Sequence, residues 1–502
     1  VEGSMTIRAA QLALLCWLLP CCCSAFKLSS RVSPPQLSSQ VSEVNTALPT
    51  TLQKKASISV AGATALVAGT TVGAGILALP AKTIEAGFGP SAVALVVAWA
   101  YMAASALLIA EVNVNTLCAL GRTSVSIKSM AGQTIGETGS QVASVAYAFI
   151  HYALLVAYML EGGKLLGELV PPLASAVTGV PDASIFAAIG GGALLLGSTA
   201  QVDKANSALF VGVIGAFFAI VGVGASKISL SYLAHATPSA ALPAVPVMVL
   251  SFTFHNVVPT IAYQLGCDIQ KIRTAILAGS AIPLLMFLLW DAVVLGSVPL
   301  EVAQSALQAG SVFDPLEAVR AGGDSLGQTV RVFSLLAICT SFIGFCYGLV
   351  DFYADLLDLD NRLEAEARTA AASTSTAMAT SSSPSQPSML TSEPGDEEGD
   401  PYAEEEIERP LPWKAALYAL ALLPPLCVAN VDPSLFFTAL DKAGTFGILT
   451  LFGIIPCLMA WSQRYGEDAE LIVQPALPGG KLTLGAMIAT AGGIIALEVA
   501  RL

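Results

Sequence analysis

An apolar run from Ile58 to Pro80 is long enough to cross a bilayer as one helix, yet its centre reads Gly69-Thr70-Thr71-Val72-Gly73-Ala74-Gly75. Each glycine costs about 1 kcal/mol against alanine in a helix interior, so helical preference collapses there. Backbone that leaves the helix at membrane depth survives only where protein buries it or where it lines a wet cavity. A span broken in this way offers amides and carbonyls to a solute at the midplane, which points to transport rather than to chemistry. The other reading of the same residues is a small-residue packing face, since Gly69 and Gly73 also satisfy GxxxG.

The rest of the chain agrees with a membrane setting. With 55% hydrophobic and 12% charged residues and a mean hydropathy of +0.71, it is too apolar for a soluble domain. The pattern predicts an all-α integral membrane protein of about eleven spans, near 58–80, 88–110, 142–161, 183–201, 207–226, 243–265, 275–298, 329–353, 413–430, 444–462 and 482–500. Lys and Arg gather on the loops that lie inside when the N-terminus is inside, which sets that orientation. Residues 57–358 then hold helices 1–8 and residues 411–502 hold helices 9–11.

The net charge of −13 is mostly local: Asp358 to Arg409 carries thirteen acids and three arginines. Residues 359–410 read as an acidic low-complexity inner loop with too few apolar side chains to order itself. Nothing in this balance suggests nucleic acid, and no protein partner is deducible. The ten cysteines show neither CxxC spacing nor nearby histidines, so no metal site is expected. At the N-terminus, Arg8, the apolar stretch Leu12–Leu19, Pro20 and Cys23-Ser24-Ala25 have a signal-peptide layout. Phe26 to Gln40 is Ser-rich and acid-free, so residues 1–56 read as a removable two-part presequence. That layout suggests the plastid (chloroplast) envelope of an alga; a signal-anchor for the plasma membrane or an endomembrane is the alternative.

The sixth span repeats the oddity of the first. Pro243 and Pro246 open it, Ser251-Phe252-Thr253-Phe254-His255-Asn256 fills its middle, and Pro259 follows. Interruptions at corresponding positions of two halves point to an inverted-repeat transporter and to its site. Helices 1–5 and 6–10 are read as the repeats, with helix 11 appended.

GTTVGAGILALP at Gly69–Pro80 and SFTFHNVVP at Ser251–Pro259 together resemble the tryptophan/tyrosine permeases, the hydroxy/aromatic amino acid permeases of the amino acid–polyamine–organocation superfamily. Glu111-Val112-Asn113, YALLVAY at Tyr152–Tyr158, LLWDAVVLG at Leu288–Gly296 and TSFIGFCYGLVD at Thr340–Asp351 support the resemblance. The position of Asp291 is more usually a glutamate in that family. The resemblance implies symport of an aromatic amino acid, tryptophan or tyrosine, by alternating access, with H⁺ as the coupling ion.

Candidate substrate contacts are the backbone and side chains of Gly69, Thr70, Thr71, Gly73, Ala74 and Gly75, together with Ser251, Phe252, Phe254, His255 and Asn256. Tyr158 and Phe342 are candidates to stack on an aromatic substrate, although aromatics in spans also serve ordinary packing. For ion coupling, His255, Asp291 and Glu111 are ionisable groups in or near spans. Glu161, Asp351 and Asp355, at span ends, are further ionisable or gating candidates. Thr340 and Ser341 offer paired hydroxyls that suit Na⁺ or that back-bond within their own helix. No cofactor beyond the coupling ion is expected, and the partners are a small amino acid and the lipid bilayer. A sodium-coupled neutral amino acid transporter and a non-transporting amino acid sensor on the same scaffold are the alternatives. An enzyme is not expected, because the chain has no HExxH or GxSxG motif.

Overall fold

In the computed structural model, the described residues are 58–120, 125–171, 179–299, 301–302, 305, 313–357, 359, 409–432, 434–466 and 471–501. The presequence and nearly all of the acidic loop lie outside them. Among the described residues, nine helices are long and apolar enough to cross a membrane. A bent pair, α1 (Val60–Thr71) and α2 (Gly75–Thr83), meets at 58° and makes a tenth crossing, the first span. Inner and outer below follow the N-terminus-inside orientation.

The second and third spans are α3 (Phe88–Leu120) and α4 (Ile127–Leu169), both much longer than the apolar runs that announce them. Gly136 breaks α4 at φ 77°, so its first turns form a separate inner segment before the crossing proper. Here the helix continues through residues too polar to register as a span.

The fourth and fifth spans depart most from the pattern. α5 (Asp182–Leu196) has 15 residues, about 22 Å of rise and short of a full crossing. α6 (Thr199–Gly224) begins well before the expected 207. The reason is local: Ser198 and Gln201 form a capping box that starts α6 at Thr199, so the helix runs through the polar residues Asp203, Lys204 and Asn206 before the apolar stretch that announces it.

In the sixth span, α7 (Val245–Ser251) and α8 (Val258–Gln264) are separated by irregular backbone and one 3₁₀ turn, His255–Val257. Pro259 falls in the first turn of α8, where no helical hydrogen bond is forfeited, so it starts the inner half; α7 has already ended at Ser251. The seventh and eighth spans are α9 (Ile269–Ser297) and α11 (Ser325–Leu356), joined on the outer side through the short helix α10 (Pro315–Ala321). α12 (Leu411–Val431) is the ninth. The tenth runs Phe436–Tyr465 as α13 (Phe436–Lys442), a π-helical stretch Ala443–Ile454, and α14 (Ile455–Tyr465). α15 (Gly480–Val499) is the eleventh.

Glycines set the closest approaches. Gly279 of α9 faces Val67 and the Thr64 carbonyl, where a β-carbon would lie 2.6 and 2.8 Å away, so α1 seats directly on the seventh span. Gly444 lets the tenth span reach the Pro246 backbone of α7. The outer half of the first span, α2, is enclosed by α7, α9, α10 and α13, and most of its residues are buried. The inner half, α1, rests chiefly on α9 and buries only Ala63, Val67 and Thr71. The first span is therefore packed more tightly in its outer half than in its inner half.

Candidate substrate site at the two helix breaks

The helical ladder of α1 ends with Val72 N–H donating to Ala68 O at 3.2 Å. It resumes with short-range bonds, Ile76 N to Gly73 O at 3.3 Å and Leu77 N to Ala74 O at 3.1 Å. The carbonyls between are released from their usual i+4 partners, as the glycine run predicts. Thr70 and Thr71 do not fill the gap: their hydroxyls donate back to Leu66 O at 2.8 Å and Val67 O at 2.7 Å. Gly69 faces the ring of Phe210 on α6.

Two other spans close on this break. Ala74 N–H donates to Ser341 Oγ of α11 at 2.8 Å, and a β-carbon on Gly73 would stand 2.8 Å from the same oxygen. Tyr158 of α4 is buried with its phenol beside the Ser341 hydroxyl. Gly75 meets the second break itself: its β-carbon would lie 3.0 Å from Ser251 Oγ and 3.1 Å from Ser251 Cα. The two interruptions thus touch, and a β-carbon at Gly75 would crowd that contact.

On the sixth span, Ser251 donates to Val247 O at 2.8 Å, and Thr253 to Val249 O at 3.4 Å. Phe252 packs against Phe287 at 5.0 Å. His255 stacks on Phe452 at 4.6 Å and lies 5.0 Å from Phe254. His255 is fully buried, and neither ring nitrogen has hydrogen-bond geometry to a partner, although the Met102 carbonyl lies beside it. Asn256, next in the chain, is exposed.

The remaining candidates sit elsewhere. Phe342 points the other way from Ser341, edge-on to Phe186 at 5.3 Å and against Gly190. Thr340 donates to Ala337 O at 3.0 Å. Glu111 is fully buried at the inner end of α3, held by Arg464 through two bonds of 2.6 Å and by Ala476 N–H at 2.7 Å. That pair ties the second span to the tenth. Arg464 reads in the sequence as an inner-loop charge, and no local signal marks it as the partner. Asp291 of α9 is also fully buried, and neither carboxylate oxygen meets a hydrogen-bond donor in good geometry. Thr83 lies beside it but donates to Leu79 O at 2.9 Å.

Two features escape sequence reasoning. His151 of α4 bonds the Tyr147 carbonyl through Nδ1 at 2.8 Å and packs against Phe345, so the inner part of the third and eighth spans is lined with rings. Phe452 is carried to His255 by the π-helical stretch of the tenth span, where Ser105 donates to its carbonyl. π segments recur at functional sites but have no composition signature. Among the described residues, no group of three or more His, Cys, Asp or Glu is placed to hold a metal.

Helical spans broken twice, with the breaks in contact at membrane depth, define a multi-pass membrane protein of the broken-helix type. The model of the tryptophan/tyrosine permease family matches residues 56–498, and the chain belongs to that family. It is 33% identical over 304 residues to tyrosine-specific transport system 1 of Haemophilus influenzae, spanning 59% of this chain and 73% of that protein. It is 30% identical over 333 residues to the tryptophan-specific transport protein of the same organism, spanning 63% and 78%. A solved structure, the substrate-bound outward-open state of a Na⁺-coupled sialic acid symporter, aligns over 93% of this chain and 96% of its own with a TM-score of 0.48 and 11% identity.

Proposed function

We propose that the protein is a secondary transporter that carries an aromatic amino acid, tryptophan or tyrosine, by proton-coupled symport. The observation that carries this reading is the contact of the two breaks at Gly75 and Ser251, with Ser341 and Tyr158 closing round the freed backbone. Backbone amides and half-helix ends of that kind receive a carboxylate, and unwound carbonyls receive an ammonium. Membership of the family and the tyrosine- and tryptophan-specific relatives support the substrate class.

The proton is assigned to Asp291. An unpartnered carboxylate buried inside a span is a functional candidate by default, which makes Asp291 the carrier assigned to the coupling proton. His255, packed against Phe452 and Phe254 at the second break, is assigned to orient the substrate. Binding across both breaks favours closure on one side, and release permits rocking to the other. A plastid envelope location rests on the presequence pattern, and a fusion of residues 1–56 to a fluorescent reporter tests it.

Purified protein in liposomes, given labelled tryptophan or tyrosine, tests the transport reading. Accumulation under an inward proton gradient, lost in Asp291→Asn, is the expected result. Accumulation under a sodium gradient alone would move coupling to Thr340 and Ser341. Binding without flux under either gradient would favour a sensor.

A further inference from the structure

The eighth span continues the substrate site inward. Ser341, which meets the first break, is followed on the same side of α11 by Phe345, Gly348 and Phe352, at alternating steps of four and three residues. Phe345 stands edge-on to Tyr158 at 5.7 Å and tilted against His151 at 4.9 Å. Phe352 meets Tyr147 at 5.1 Å, and Tyr147 stacks on His151 at 4.0 Å. A row of rings therefore runs from the breaks toward the inner surface, with Gly348 about 10 Å inward of Ser341 by helical rise.

The row is not covered. A β-carbon on Gly344, one turn inward of Ser341, would meet nothing within 4 Å, and Gly344 is exposed. Phe345 and Phe352 are half-buried, and α1 rests chiefly on α9 rather than on α11. Farther in, Asp351 and Asp355 stay largely exposed although each faces a cation, Arg409 and Lys128, so the face ends in water.

One polar atom points into the row. His151 is 3% exposed, and its Nδ1 lies 2.8 Å from the Tyr147 carbonyl. A carbonyl only accepts, so Nδ1 carries the hydrogen and Nε2 of the neutral ring is an acceptor. Nε2 faces Gly348, where a β-carbon would stand 2.9 Å from it, and it bonds no donor among the described residues. Tyr147 does not supply one, because its hydroxyl donates to the Gly348 carbonyl at 3.2 Å.

We propose that this face is a second substrate site, inward of the breaks, taking the ring of an aromatic amino acid whose indole N–H or phenol O–H donates to His151 Nε2. The inference deepens the transport reading and rests on it. Phe345 and Phe352 offer the offset and edge-on contacts that hold a flat ring. The need for a ring donor separates tryptophan and tyrosine from phenylalanine. α11 is helical from Ser325 to Leu356, so no freed backbone is offered here to the carboxylate and ammonium, and the site binds more weakly than the breaks.

Equilibrium binding of labelled tryptophan to the full chain in lipid nanodiscs, carried to saturation, counts the sites. Two molecules per protein are expected for the wild type, one of them weaker. His151→Phe keeps a ring but removes the acceptor and should lose the weaker molecule; Gly348→Ala, which crowds Nε2, should lose the same one. Gly75→Val should keep only the weaker. On that variant, the benzothiophene analogue of tryptophan, with sulfur in place of the ring N–H, should bind at least about fivefold more weakly than tryptophan. One molecule in the wild type, two in either His151→Phe or Gly348→Ala, or equal binding of the analogue would each overturn the proposal. Uptake in liposomes keeps the two ideas apart: uptake with a single bound molecule removes the inner site alone, and two bound molecules without uptake remove the transport reading alone.

Discussion

Ser341 accepts a hydrogen bond from Ala74 at 2.8 Å across 267 residues of sequence, so the eighth span supplies the missing partner of an amide freed by the glycine run. Breaking the first helix and satisfying one of its orphan groups are thus tasks of different spans. Removing the acceptor leaves a buried amide unpaired, at a cost of about 1–3 kcal/mol. Ser341→Ala should weaken substrate binding, whereas Ser341→Thr keeps an oxygen and should retain most of it; equilibrium binding of labelled amino acid to both variants checks this.

Glu111 and Arg464 form a buried two-bond pair between the second and tenth spans, with Ala476 N–H as a third support. Deleting one member strands the other charge, an effect of about 3–5 kcal/mol. Glu111→Ala should therefore unfold at a markedly lower temperature in detergent. The fraction that remains folded should keep its coupling ion, because this carboxylate is already fully engaged.

Gly163 lies where α4 meets the start of α5, and a β-carbon there would stand 2.5 Å from Asp182 backbone atoms. Backbone cannot rotate aside as a side chain can, so Gly163→Ala should cost about 1–3 kcal/mol or more through overpacking. Gly485→Ala, on an open face of α15, should leave thermal stability unchanged or slightly raised. Parallel melting curves decide between the two expectations.

The breaks were legible because glycine and proline punctuate helices wherever they fall, but the first is narrower than the Gly69–Gly75 run suggests: α1 continues through Thr71 and α2 resumes at Gly75, while the second lies at Phe252–Phe254. Partners were not. Nothing near Glu111 announces Arg464, 353 residues away, since ion pairing across a fold leaves no local pattern. Ser341 and Phe342 are adjacent and equally plausible in sequence; helical rotation sends one to the first break and the other to Phe186. The short α5 was hidden by apolar continuity through 183–201, although the Ser198 and Gln201 capping box was present to be read. The π-helical stretch that brings Phe452 to His255 has no signature in residue type, because its cause is the packing around it.

In the proposed transporter, the substrate is held where the two breaks touch at Gly75 and Ser251. Saturable binding of labelled tryptophan or tyrosine by wild type, Gly75→Val and the control Gly492→Val, in preparations of equal melting temperature, tests it most directly. Wild type and the control, which meets nothing within 4 Å, should bind alike, and Gly75→Val should lose at least about tenfold in affinity, or roughly 1.4 kcal/mol. Undiminished binding by Gly75→Val would place the substrate elsewhere and contradict the account.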